Sequence, residues 1–234
     1  MAGRRAMTLA LVLAATLLMC AWVFWRFYWF YRDPLRHPPA APGIVSPADG
    51  TVVYVKRAAP GEDVVVIKRG LAARIADIVK EDVRSPKVVI GIFMSPFDVH
   101  YNRVPLAGRI SMIRSHPGSG RNAHMGPMHW RSVLGVSPRY RNSVHIVSNE
   151  RTVTRIEGTY EARPLPYYIV QIGARTVGGI EVFGRVGDHV VRGAKFGIIR
   201  IGSQVDLVLP DDPTLQVRVE PGQKVRAGET ILVD

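Results

Sequence analysis

The sequence is almost devoid of cysteine and short of acid. Its one cysteine, Cys20, sits inside an apolar run. Neither a disulfide framework nor a thiolate metal site can be built from it, and a reducing compartment suits it. Against 31 Lys and Arg stand only 19 Asp and Glu, a net charge of +12 over 234 residues. Such an excess fits a polyanionic partner, either nucleic acid or an anionic membrane face. There is no zinc-finger spacing, RNP-type motif or Arg/Lys-rich helix, which argues against nucleic acid. A Gly-rich phosphate loop, a dinucleotide fingerprint and a Gly-x-Ser-x-Gly elbow are missing as well. His116, His124 and His129 match no ligand spacing and have no carboxylate between them, so no metal is expected. Apolar residues are not in short supply: at 47 % they exclude a disordered chain, and the length allows one good core with a small appendage.

The first thing present is a span without charge. Met7 to Trp25 are 19 such positions, which as a helix cover about 28 Å, close to a bilayer core. Trp22, Phe24, Trp25, Phe27, Tyr28, Trp29, Phe30 and Tyr31 crowd its far end like an interfacial belt. Arg26, Arg32 and Arg36 follow, and Asp33-Pro34 marks the helix exit. No small-x-small site follows the apolar core, so a retained anchor is favoured over a cleaved signal peptide. Three arginines after the span against Arg4 and Arg5 before it place the bulk of the protein, by a narrow margin, on the cytoplasmic side of the cell membrane.

Beyond the anchor, His37 to Pro47 reads as a Pro/Ala-rich linker, and Asp49-Gly50 as a turn before a β run. Val88 to Met94 is a buried strand candidate that runs into the polar loop Ser95 to Pro105, a common place for a site. His100 in that loop is equally compatible with a structural role. Residues 116–142 show no clear period and read as a flap or a mobile loop whose Met and Trp lie against lipid. Strands are expected again over Ser143 to Ser148, Arg151 to Ile156 and Tyr167 to Ile172. The last third holds a repeat of the form G-x-x-V-x-x-G-x-x-Φ, at Gly187 to Phe196 and again at Gly222 to Ile231. It resembles the hairpin pattern of biotinyl and lipoyl carrier domains, although no carrier lysine motif accompanies it. Together these signs predict a mostly β chain with minor helix: a compact β-sandwich or barrel with such hairpins, preceded by an N-terminal membrane-anchoring helix. Two domains are expected, 1–36 as the anchor with its aromatic and basic exit, and 37–234 as a β-rich catalytic domain.

Gly202-Ser203 lies between two strand-like runs, with Val205, Leu207 and Leu209 on one face and Asp206 on the other. Alone, the pair reads as a turn or a bulge. With Asp49 and His100 it forms an Asp–His–Ser set of the kind hydrolases use. A serine directly after glycine, inside a β run, can also attack the carbonyl of its own preceding residue. The peptide becomes an ester, loss of the Ser203 α-proton breaks the chain, and the dehydroalanine left behind hydrolyses to a pyruvoyl group. A pyruvoyl carbonyl can form a Schiff base with an amine and act as an electron sink.

The chain resembles the phosphatidylserine decarboxylase proenzymes of the short branch found in bacteria and archaea. The resemblance rests on Phe30-Tyr31-Arg32-Asp33-Pro34, Ser46-Pro47-Ala48-Asp49-Gly50, Phe93 to Arg103, Arg141-Asn142-Ser143 and Phe196 to Ser203, in this order. It implies self-cleavage between Gly202 and Ser203 into a β chain, 1–202, and an α chain, 203–234, with a covalent pyruvoyl cofactor made from Ser203. It further implies Ser203 as the maturation nucleophile, Asp49 as the aspartate of the maturation triad and His100 as the first histidine of the family loop. The expected activity is that of a carboxy-lyase of phospholipid biosynthesis: phosphatidylserine to phosphatidylethanolamine and carbon dioxide. The expected partners are the lipid substrate and an anionic membrane, with a homo-oligomer left open. One departure stands out. Arg103 occupies the place of a second histidine, so either His100 serves both maturation and decarboxylation or another group, among His116, His124 and His145, replaces it. A membrane adaptor with a carrier-like β-sandwich and a pyruvoyl decarboxylase of a different amine are the alternatives.

Overall fold

The computed structural model describes residues 1–81, 83–174, 179–200 and 202–234. Ile201, inside the glycine–serine stretch read above, lies outside the described residues. Two compact units divide the chain, Met1–Pro34 and Leu35–Asp234. The first is helical: α1 (Ala2–Phe24) continues into a π-helical turn, Trp25–Trp29. From Gly3 to Trp29 it is long and apolar enough to cross a membrane.

The second unit is built from strands. In chain order they are β1 (Ile44–Val45), β2 (Gly50–Ala58), β3 (Asp63–Lys68), β4 (Leu71–Arg74), β5 (Lys87–Met94), β6 (Tyr101–Arg103), β7 (Gly108–His116) and β8 (Arg151–Tyr160). There follow β9 (Arg163–Gly173), β10 (Ile180–Val182), β11 (His189–Val190), β12 (Lys195–Ile199), β13 (Ser203–Pro210), β14 (Lys224–Val225) and β15 (Ile231–Val233). Eight of them form one antiparallel sheet in the order β11-β7-β8-β9-β13-β5-β2-β14. Both faces of this sheet are covered. On one side Ile92, Met94, Val205, Leu207 and Ile169 pack against Phe196 and Ile199 of the small sheet β10-β12-β6. On the other, Phe93, Val170 and Val208 pack against the β3–β4 hairpin and the short helices α2 (Ile75–Val79), α3 (Gly126–Val133) and α4 (His145–Ser148). Strand side chains alternate between faces, so Ser203 and Val205 share the first core while Gln204 and Asp206 enter the second. The alternation expected for 205–209 is present, but Asp206 points into a core and not into water.

The glycine repeat has a structural counterpart. Gly187 and Gly222 both take positive φ, as do Gly193 and Gly228. Gly187 N–H donates to Ile110 O while Ile110 N–H donates to Asp188 O; Gly222 with Val52, and Val52 with Gln223, repeat the pair. The two copies therefore pin equivalent outer strands, β7 and β2, and end as the two edges of the sheet, β11 and β14. The approximate twofold axis this implies passes between β9 and β13 at the sheet centre.

Two local expectations fail. Residues 145–148 are helical, because Arg151 is fully buried and donates to the Ile146 carbonyl at 2.9 Å, fixing a turn where β-branched residues suggested a strand. The aperiodic 116–142 stretch contains α3, which starts with Pro127 in its first turn and buries Met128. The Pro/Ala stretch after residue 36 is tied to the β unit: His37 N–H donates to Glu229, and Arg192 binds the carbonyls of Pro39, Ala41 and Gly43.

Candidate active site

Ser203 is the first residue of β13, an interior strand hydrogen-bonded on both sides. It faces Met94 at the end of β5 and Gly173 at the end of β9. The residue before it, Gly202, has φ of +64°, the left-handed region that side chains disfavour. Among the described residues a Cβ there would meet only the Ala174 methyl at 3.7 Å, so the conformation, more than crowding, explains the glycine. Ser203 is fully buried, and its hydroxyl donates to the Met94 thioether at 3.2 Å. Sulfur is a weak acceptor, so this hydroxyl is shielded from water without being firmly held.

On the same face lies a pair of buried amides. Asn102 Nδ2 approaches the same Met94 sulfur at 3.6 Å, and Asn102 Oδ1 accepts from Gln171 Nε2 at 2.8 Å. Gly197 leaves room for Gln171, since a Cβ there would stand 3.2 Å from its amide nitrogen. Gln171 Oε1 is buried with no partner among the described residues. Buried polar groups are costly unless paired, so an under-satisfied amide pair beside a buried hydroxyl singles out this spot.

Asp49 ends the turn before β2, one residue ahead of Gly50, whose φ of +154° and close approach to the Phe93 carbonyl leave no space for a side chain. Thr51 pairs with Phe93, which in turn pairs with Gln204. Asp49 and Ser203 therefore flank the same end of the sheet, two strands or about 10 Å apart. Asp49 accepts from Arg36 Nη2 at 2.7 Å and from the Ala227 N–H at 2.7 Å. Burial raises its pKa, the Ala227 and Arg36 contacts oppose the rise, and the nearby charge of Asp98 adds to it. His100 is buried in the loop after β5, with Nδ1 2.9 Å from the Asp98 carbonyl oxygen. A carbonyl can only accept, so Nδ1 carries the proton and Nε2 the lone pair of the neutral ring. The structure thus brings Asp49 and Ser203 to one end of the eight-stranded sheet, while His100 lies in the loop that leaves β5 at that end and leads into β6 of the small sheet. It does not join Asp49 to His100 by a hydrogen bond.

Arg103 holds the place of the second histidine. Its guanidinium donates to Gly193 O at 3.0 Å and its stem lies against Gly228, between the two repeat copies. Among the three other histidines considered, His145 is fully buried but enters the opposite core, where Nε2 meets Gln204 Oε1 at 3.0 Å. Burial lowers its pKa to about 4. Gln204 also donates to Tyr54 and Asp206, and the Tyr54 hydroxyl donates to Asp206 at 2.8 Å. Burial raises the Asp206 pKa to about 6. His124 Nδ1 accepts from Gly126 N–H, and His116 borders a separate cavity with Glu150 and Arg151. Arg36, Asn102 and Gln171 are the groups around Asp49 and Ser203 that sequence reasoning missed, and Gln204 the one that holds His145 in the opposite core.

A family model described as phosphatidylserine decarboxylase matches residues 23–233. The chain is 32 % identical over 207 residues to the phosphatidylserine decarboxylase proenzyme of Saccharopolyspora erythraea, covering 88 % of this chain and 72 % of the relative. It is 33 % identical over 208 residues to that of Ruegeria pomeroyi, covering 88 % and 78 %. With that of Syntrophotalea carbinolica it shares 35 % identity over 205 residues, covering 87 % and 77 %.

Proposed function

The chain belongs to the phosphatidylserine decarboxylase family, and on that premise we propose that it cuts itself between Gly202 and Ser203 and then decarboxylates phosphatidylserine to phosphatidylethanolamine. The observation that carries this reading is the Ser203 hydroxyl, fully buried behind a left-handed glycine and held, among the described residues, by a thioether alone.

Maturation uses the chain's own groups. Ser203 Oγ loses its proton to His100 and attacks the Gly202 carbonyl carbon. The Gly202–Ser203 C–N bond breaks, the Ser203 nitrogen takes up the proton, and an ester remains. Removal of the Ser203 α-proton then expels the Gly202 carboxylate, and water replaces the resulting enamine nitrogen, which leaves as ammonia. Asp49 works through His100, its negative charge favouring the imidazolium. Asn102 Nδ2 turns from the sulfur to the carbonyl oxygen that gains charge, a better acceptor than a thioether.

The surroundings of Ser203 fit the product. A ketone needs no acceptor and gains from a donor, and Met94, Gly173 and the Asn102 amide provide that environment. The pyruvoyl group supplies an electrophilic carbonyl that takes the substrate amine and accepts the electron pair released as carbon dioxide leaves. His100 returns a proton to the carbon that lost the carboxylate. The 1–36 segment anchors the 37–234 domain at the cell membrane on the cytoplasmic side, where basic charge favours an anionic lipid.

Denaturing mass spectrometry tests the cut. Residues 203–234 should appear as a separate piece, about one seventh of the 25.9 kDa chain, with a ketone-reactive end. Ser203→Ala should leave one chain without activity. A single intact chain in an active preparation would sink the pyruvoyl reading; a single intact chain without activity would favour the adaptor. Turnover of free serine in place of phosphatidylserine would transfer the reading to a soluble amine.

A further inference from the structure

The α3 region is apolar on its outside. Phe97, Trp130, Val133 and Leu134 are between 61 % and 69 % exposed. Phe97, Trp130 and Val133 border one cavity of about 440 Å³, whose other walls include Phe93, Ser95 and Lys224. Leu134 continues α3, its N–H bonded to the Trp130 carbonyl. A cluster of large exposed apolar side chains of this kind marks an interaction surface.

Three observations say what it meets. From Val99 to Asn149 the chain carries seven arginines and no acidic residue, so the segment bearing α3 complements an anionic surface. Lys224 stands at the cavity wall and Arg139 lies against Gly222, two residues away. The apolar helix ends at Trp29 and the second unit begins at Leu35. Six residues of chain, about 20 Å at most, join that unit to a helix long and apolar enough to cross a membrane.

The cavity lies on the second face of the sheet, opposite the Ser203 hydroxyl, but at the end of β5 where the two faces meet: Ser95 follows Met94, the strand partner of Ser203, and Lys224 Nζ lies 3.9 Å from Asp98, whose carbonyl holds His100. His129 Nδ1 and Ser132 Oγ are buried there without partners among the described residues. The cavity thus combines aromatic walls with unsatisfied polar atoms and a cation, the complement of a phosphodiester carrying acyl chains.

We propose that Phe97, Trp130, Val133 and Leu134 insert into the headgroup–acyl boundary of an anionic bilayer, and that a phospholipid enters by the cavity beneath them and reaches Ser203 around the end of β5. This rests on the reading of the chain as a phospholipid decarboxylase. The surface is a second membrane contact, separate from the N-terminal helix, and it presents the site to the lipid.

The test uses the full chain in vesicles of phosphatidylcholine and phosphatidylserine. In a Cys20→Ser background, spin labels are placed one at a time by Phe97→Cys, Val133→Cys and Leu134→Cys. Val66→Cys, on β3 and 59 % exposed, is the control. The three labels should become accessible to oxygen and shielded from a water-soluble nickel complex, and the control should not. Leu134→Asp should lower the ratio of turnover on vesicle-borne phosphatidylserine to turnover on a soluble short-chain phosphatidylserine by roughly tenfold, the equivalent of one side chain's burial. Self-cleavage of the variant on a gel reports that it folds. Labels that stay exposed to nickel overturn the proposal. So do labels shielded from both nickel and oxygen, as they would be if a protein covered this face, and so does an equal loss on both substrates. If the wild-type chain decarboxylates neither lipid, the functional reading fails, while the label depths still decide the membrane contact.

Discussion

Ser203 and Met94 face each other across two hydrogen-bonded strands, and the serine hydroxyl donates to the methionine sulfur at 3.2 Å. The contact excludes water while restraining the hydroxyl only weakly. Met94→Leu keeps the apolar volume and removes the acceptor. Self-cleavage, followed by gel, should stay within about fivefold of wild type, since a weak hydrogen bond contributes about 1 kcal/mol or less. Complete loss of cleavage would show that the sulfur has a role beyond packing.

Arg36 and Asp49 form the second informative pair, 2.7 Å apart with both side chains largely buried. Burial already raises the Asp49 pKa and Arg36 opposes the rise. Arg36→Gln should raise it further, so the ionised carboxylate appears only at higher pH. The acid limb of the cleavage rate against pH should move upward, and cleavage at neutral pH should slow. Removing one partner of a buried pair costs about 3–5 kcal/mol, so a fall in melting temperature is also expected. An unmoved pH profile would mean that Asp49 does not act as an ion in maturation.

His100 is predicted to serve both steps. Arg103 is committed to Gly193, and His145 lies in the opposite core. His100→Ala should therefore slow self-cleavage by about a hundredfold or more, the usual scale of a lost general base. Cleavage at the wild-type rate, with only decarboxylation lost, would show that another group carries maturation.

The His145–Gln204 contact predicts a pH signature in stability. The folded pKa of about 4 lies below the ordinary 6.5. The contribution of neutral His145 is thus fully present above pH 6.5 and is lost as pH falls towards 4. The stability advantage of wild type over His145→Gln, measured by melts of the detergent-solubilised chain, should shrink over that window by about 3 kcal/mol. Asp206, raised to about 6 by burial, titrates in both proteins, so their difference isolates the histidine.

Much of this was readable from residue order alone. The alternation of Val205, Leu207 and Leu209, the glycine before Ser203 and the turn at Asp49-Gly50 all carry local signals, and the structure keeps each of them. What escaped reading is long-range. Arg36 follows an aromatic belt, so its charge reads as interfacial; only the fold brings it to Asp49 and Glu229. Gln171 and Gln204 sit in strands where a polar residue ordinarily faces water. Here the sheet is covered on both faces, so neither has a solvent side to turn to. The helix at 145–148 depends on an arginine five residues beyond its middle whose burial, against the Asp77 and Ile78 carbonyls, is set by the fold and not by its neighbours in sequence.

The position of β13 has one more consequence. It is flanked by β5 and β9 along its length, and β14 and β15, from the same C-terminal segment, pair with β2 and β1. Under the proposed cut the short chain is woven into its larger partner at three places, so dilution should not separate them. The reactive group then has no independent existence: it can be neither loaded, exchanged nor replenished. Each molecule has one opportunity to make it, and its working life ends when that carbonyl is spoiled, so only fresh synthesis of the whole protein can restore the activity.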